Sequence, residues 1–161
     1  MCIRDSDVAG ILTNVKANIS AIAAWQTLCS VADSTAAAKR VYYGGVQEDY
    51  GDDTRAPLCV LQIDPAQTEW NAGTARGRLT VNATFELAMP AENEGNYSSQ
   101  YLWCWQALAD IMAGVNSSSG GSGQLMLRQL NITQEPGPIN PDENQGRNEW
   151  AFQIALVIDL L

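Results

Sequence analysis

Residues 76–89 read Arg76-Gly77-Arg78-Leu79-Thr80-Val81-Asn82-Ala83-Thr84-Phe85-Glu86-Leu87-Ala88-Met89. Leu79, Val81, Ala83, Phe85, Leu87 and Met89 alternate with Thr80, Asn82, Thr84, Glu86 and Ala88. Apolar residues spaced two apart over this length define a strand with one face in a core and the other in water. Pro90 ends it, because proline cannot donate to a sheet ladder. The outer face of Thr, Asn, Thr and Glu leaves one side of the sheet to water, a lumen or a partner rather than to a second helix layer.

Three further segments complete a sheet. At the C-terminal end, Trp150, Phe152, Ile154, Leu156, Ile158 and Leu160 alternate with Ala151, Gln153, Ala155, Val157 and Asp159. Leu58-Cys59-Val60-Leu61-Gln62-Ile63 reads as a buried strand led by Pro57 and ended by the turn pair Asp64-Pro65. Leu125 to Thr133 reads as a strand, with Leu130 and Ile132 two apart. Helices supply the cover. Val8, Leu12, Val15, Ile19, Ile22 and Trp25 or Gln26 fall at steps of three and four, predicting one long amphipathic helix that ends near Asp33, with a short helical piece from Ser34 to Lys39. Asn96 to Val115 is a second helix. Tyr101, Leu102, Trp105, Leu108, Ile111, Met112 and Val115 form its stripe, and Trp103 lies off it.

The connections are polar. Val41-Tyr42-Tyr43 leads into a glycine-rich loop whose Glu48, Asp49, Asp52 and Asp53 place four carboxylates in six residues. Residues 116–123 are a Ser/Gly linker, too short to separate domains, and 135–148 read as a long loop with three prolines. The order α-β-β-α-β-β, with each pair of strands adjacent and the first pair split by a turn near Asn71–Gly73, predicts an α+β fold. It is a four-stranded, mainly antiparallel sheet with two helices packed on one face.

The 161 residues suit one domain able to bury a real core. The formal charge of −9 opposes tight non-specific binding to nucleic acid or to an anionic membrane. The chain has no histidine, which removes Ser-His-Asp and Cys-His nucleophile systems, histidine metal sites and the usual general base. Cys2, Cys29, Cys59 and Cys104 contain no CxxC pair, and the last three sit in apolar stretches as reduced, buried thiols. No signal peptide and no apolar run of roughly 20 residues is present, so a soluble chain made in a reducing cytoplasm is expected. Met1-Cys2-Ile3-Arg4-Asp5-Ser6 is what ATG TGT ATA AGA GAC AGN encodes, the end of a transposon adapter used in sequencing libraries. The expectation is adapter read-through over 1–6 and a single domain over 7–161.

Motifs for chemistry are scarce. Gly120-Gly121-Ser122-Gly123 lacks the spacing of a phosphate loop. The acidic loop lacks EF-hand spacing and reads as a solvated or partner-facing charge cluster rather than a metal site. Nothing selects a pair of carboxylates for glycoside hydrolysis. Arg76 and Arg78 form a close basic pair, and Trp103 is a candidate interface anchor. No catalytic residue, metal ligand or cofactor is expected.

The pattern over Pro57–Ile63, Arg76–Met89, Tyr101–Val115, Gln124–Thr133 and Asn148–Ile158 resembles the tail-terminator (tail-completion) proteins of long-tailed bacteriophages. The resemblance lies in strand order, length and hydrophobic pattern. It implies a non-enzymatic virion protein: a homo-oligomeric ring, usually a hexamer, that caps the tail tube protein, joins neck or connector proteins and lets genomic DNA pass through its lumen. Location in the virion tail, and in the host cytoplasm during assembly, follows from the same likeness. Glu48, Asp49, Asp52, Asp53, Arg76, Arg78 and Trp103 are then candidate partner or lumen contacts. Carboxylates near a bore would repel phosphate. A head-tail connector or minor tail protein stands beside this reading, as does, in another class, a small hydrolase or carbohydrate-binding domain.

Overall fold

The computed structural model describes residues 5–45, 56–71, 76–118, 126–139 and 149–160. Four α-helices are present among them: α1 (Asp5–Ala21), α2 (Ala23–Leu28), α3 (Ser34–Ala38) and α4 (Tyr97–Ser118), with a 3-10 turn at Ala91–Asn93 before α4. The strands are β1 (Val41–Tyr43), β2 (Leu58–Ile63), β3 (Glu69–Asn71), β4 (Arg76–Ala88), β5 (Leu127–Pro138) and β6 (Glu149–Leu160). They form one sheet in the order β1-β2-β4-β6-β5, with β3 also pairing β4. The fold is α+β, with the helices on one face.

The registers show why the alternating segments dominate. Leu79, Val81, Ala83, Phe85 and Leu87 of β4 stand opposite Ile158, Leu156, Ile154, Phe152 and Trp150 of β6. On the other side, Cys59 and Leu61 of β2 stand opposite Phe85 and Ala83. All of these are buried. A slip of one residue would turn the whole apolar set to the open face, so burial holds the register strongly. The centre of the core is aromatic. Phe85 stacks on Phe152 with centroids 5.2 Å apart, and Trp25 of α2 meets Phe85 edge-on at 5.3 Å. Trp150 donates its indole N–H to Gln100 Oε1 of α4 at 3.2 Å.

Several expectations are corrected. The sheet has six strands rather than four and, though mainly antiparallel as expected, is mixed, because β1 joins as an edge strand parallel to β2. Both β1 and β3 span three residues, less than two periods of alternation, and so leave no periodic signal. The first helix does not run unbroken to Asp33. Ile22 adopts extended backbone (φ −70°, ψ 120°) between α1 and α2. Ser20 Oγ donates back to Lys16 O at 2.6 Å, a bond that tends to bend helices, and Gln26 Nε2 satisfies the freed Ser20 carbonyl at 2.9 Å. The break inserts Ile22 against Gly114 of α4, where an added Cβ would lie 2.5 Å from Ile22 Cγ2.

Asp33 begins a helix instead of ending one: its side chain accepts from the Ala36 N–H at 2.8 Å and caps α3. The short helical piece expected from Ser34 is thus present as α3, and with the break at Ile22 the helix cover has four members among the described residues rather than two. Strand β5 continues through Pro138 into the stretch expected to be loop. Proline is tolerated there because β5 is an edge strand whose register shifts between Gln134 and Gly137. No described helix is long and apolar enough to cross a membrane.

Candidate functional site

The sheet face away from the helices is a polar surface built by the outward parity of the same strands. It carries Arg78, Thr80, Asn82, Thr84 and Glu86 from β4, opposite Asp159, Val157, Ala155, Gln153 and Ala151 of β6. Gln129 and Asn131 of β5 continue it opposite Val157 and Ala155. The turn after β2 folds over one end. Asp64 Oδ1 accepts from the Ala66 N–H at 3.0 Å, and Asp64 O accepts from Thr68 Oγ1 at 2.7 Å. Thr80 is buried beneath this turn and donates its hydroxyl to Gln67 O at 2.9 Å. Between the turn and β5 runs a groove of about 440 Å³, where Gln67, Asn82, Gln129 and Asn131 stand beside the charged Asp64, Glu69 and Arg78.

Amides and hydroxyls on this face bond to one another across strands. Gln153 Nε2 donates to Thr84 Oγ1 at 2.8 Å, Thr133 Oγ1 to Gln153 Oε1 at 2.9 Å, and Gln129 Nε2 to Asn131 Oδ1 at 2.9 Å. Asn82 Oδ1 is shielded from solvent with no hydrogen-bond partner. The described cations of the face are balanced locally. Arg78 lies 3.7 Å from Glu69 and 3.5 Å from Asp159, and Arg128 lies 3.6 Å from the other oxygen of Asp159. These partly exposed pairs contribute little stability, but they leave little cationic field for phosphate. At the opposite end, Glu86 has its carboxyl pushed above the usual carboxylate range by burial and, secondarily, by the charge of Glu149.

Of the expected site residues, Arg78 and Trp103 have described side chains, and they lie in different layers. Glu48, Asp49, Asp52 and Asp53 lie outside the described residues, and of Arg76 only the backbone, paired with Asn71, is described. Arg78 stands on the open sheet face. Trp103 sits in the helix layer, partly buried and packed against the core.

The rotation of α4 explains the difference. Its buried stripe is Gln100, Cys104, Ala107, Leu108, Ile111 and Val115, which carries Leu102 to the far side of the helix, 68% exposed. Tyr97, at 61% exposure, covers the Trp150 ring with centroids 5.2 Å apart. Tyr101 is 38% exposed and meets Trp105 edge-on at 6.2 Å. This exposed Tyr97–Tyr101–Leu102 surface is the feature that sequence reasoning missed. The absence of charge from Tyr97 to Ala109 was the available signal.

Among the described residues, no group of three or more His, Cys, Asp or Glu is placed to hold a metal ion. Cys29, Cys59 and Cys104 are buried free thiols. Burial pushes Cys29 and Cys104 up to about 12, with Arg40 partly opposing the shift at Cys29, and raises Cys59 as well. Such thiols are poor nucleophiles. No protein-family model matches the chain, and no curated protein matches it either.

Proposed function

We propose that this protein is a virion assembly protein, a tail terminator that forms a homo-oligomeric ring, expected to be a hexamer, on the end of the tail tube and joins it to the neck. The observation that carries the reading is the uncovered sheet face, neutral to acidic, with its described cations held in ion pairs. In a ring around a DNA channel, such a surface lets phosphate slide past, because its described residues offer no basic track. The helix layer on one side only, the chain order seen in the resemblance and the absence of histidine support a structural role with no catalytic step. A place in the virion tail, after assembly in the host cytoplasm, belongs to the same proposal.

Size-exclusion chromatography with light scattering, followed by electron microscopy alone and with the tail tube protein, tests it. Closed rings that add to tube ends are expected; a strict monomer that binds no tube protein refutes the reading. Binding to the neck protein without the tube protein would transfer the assignment to a head-tail connector. The amide-lined groove favours one reading of another class, a carbohydrate-binding domain. That reading requires saturable binding in a glycan titration, abolished by Asn131→Leu.

A further inference from the structure

Two uncommitted apolar features lie on opposite flanks of the sandwich. The first is on α4, at the β6–β5 flank, where Tyr97 contacts Trp150 of β6. From Tyr97 to Ala109 the helix has no charged residue, in a chain of net charge −9. Protein surfaces ordinarily carry about a quarter to a third charged residues. Exposed Tyr97, Tyr101 and Leu102 in place of charge have the composition of an interface core.

The second feature is on the β1–β2 flank. A cleft of about 600 Å³ opens between α1 and the ends of these strands, where Leu12, Tyr43, Leu61, Ile63 and Pro65 meet the polar Gln62, Asp64 and Asn82. Tyr43 is 46% and Ile63 38% exposed. Charge at the two features is complementary on the Tyr43 side of the cleft, while Asp64 lines the other side. Glu92 and Glu94 are exposed in the turn that leads into α4. At the cleft, Lys16 Nζ stands 5.1 Å from the Tyr43 ring centroid.

A projecting surface on one flank and a receiving cleft on the other fit a head-to-tail contact, the kind that closes a ring. We propose that the Tyr97–Tyr101–Leu102 surface of one copy seats in the Tyr43–Ile63 cleft of the next. This inference rests on the ring reading above and names the junction that makes the ring. The exposed parts of the three side chains amount to on the order of 400 Å², about half of the roughly 800 Å² that each partner buries in a standard interface. They therefore serve as its centre, with the surrounding polar residues as its rim.

The test uses the whole chain carrying Leu102→Glu or Ile63→Glu, with Leu102→Ser as a variant that removes apolar surface without adding charge. Light scattering and electron microscopy read assembly, and circular dichroism with thermal melts reads the fold. The unchanged protein is expected to form rings. Each Glu variant is expected to stay monomeric while remaining folded, with the junction weakened at least about thirtyfold, the loss typical of a central interface residue. Leu102→Ser is expected to weaken it in the same direction.

An equal mixture of the two Glu variants is expected to form one-to-one pairs and no rings. The intact α4 surface of the Ile63→Glu copy can enter the intact cleft of the Leu102→Glu copy, and the pair can go no further. Variants that assemble like the unchanged protein, or a mixture that stays monomeric, overturn the junction while leaving the ring reading intact. An unchanged protein that is monomeric at every concentration overturns the ring reading, and the junction with it.

Discussion

Gly114 offers a test of the helix packing in which two effects of known size oppose each other. In an exposed helix, Gly→Ala gains about 1 kcal/mol from backbone propensity. At Gly114 the added methyl would stand 2.5 Å from Ile22 Cγ2, 2.9 Å from Cγ1 and 3.2 Å from Cβ. Carbon atoms prefer about 3.5–4.0 Å, so Ile22 must move. Ile22 is buried and pinned at the break between α1 and α2. Overpacking of this kind costs about 1–3 kcal/mol. The cost wins, and Gly114→Ala is expected to destabilise the protein by about 1 kcal/mol net.

Ile22→Ala alone leaves a cavity and costs about 2–5 kcal/mol. In that background the obstructing methyls are gone, so Gly114→Ala is expected to stabilise by about 1 kcal/mol. The double-mutant cycle should then show a coupling of about 1–3 kcal/mol. Urea unfolding is the assay. With a slope of about 2 kcal/mol/M, each kcal/mol moves the midpoint by about 0.5 M. A Gly114→Ala midpoint that rises equally with and without Ile22 would refute the contact, and with it the reason given for the helix break.

Three further outcomes are expected. Ser30 closes α2 with φ +55°, its N–H bonded to Thr27 O and the Val31 N–H to Gln26 O, so Ser30→Gly should stabilise by about 0.5–1 kcal/mol in the same urea assay. Glu86 binds its proton more tightly in the folded state than in the unfolded one, because of burial first and Glu149 second. Its contribution therefore favours the native state at acid pH and is lost as pH rises through the raised folded pKa. Glu86→Gln should accordingly raise the melting temperature at pH 7 and leave it nearly unchanged near pH 4. The thiols of Cys29, Cys59 and Cys104 should react with a disulfide reagent at pH 8 only on unfolding. Because their folded pKa values are raised, stability should decline above about pH 9, where unfolded thiols ionise first. Rapid native labelling at pH 8 would contradict their burial.

Much of the architecture was legible in residue order. The two long alternating strands, the pairing of β2 with β4 and of β5 with β6, and the placement of helices on one face follow from period two against period 3.6. The α1–α2 stripe of Val15, Ile19, Ile22 and Trp25 is buried as its spacing requires. Of the candidate site, the polar parity of β4 was readable, since Thr80, Asn82, Thr84 and Glu86 could not share a face with Phe85. The ion-paired state of Arg78 was not, because Asp159 lies 81 positions away in the chain and meets it only through the β4–β6 register.

The remaining differences share one physical cause. Periodicity reports burial that repeats along a local segment, and it is blind to contacts that occur once between distant segments. The break at Ile22 answers to Gly114 on another helix, and the three-residue β1 exists because β2 offers an edge. Leu102 and Trp103 exchange their expected surroundings because the rotation of α4 is set by the whole buried stripe from Gln100 to Val115. A repeating pattern of side chains thus sufficed for the long elements and the covered side of the sheet. Where each element breaks, turns and exposes its apolar remainder depended on packing between residues far apart in the chain.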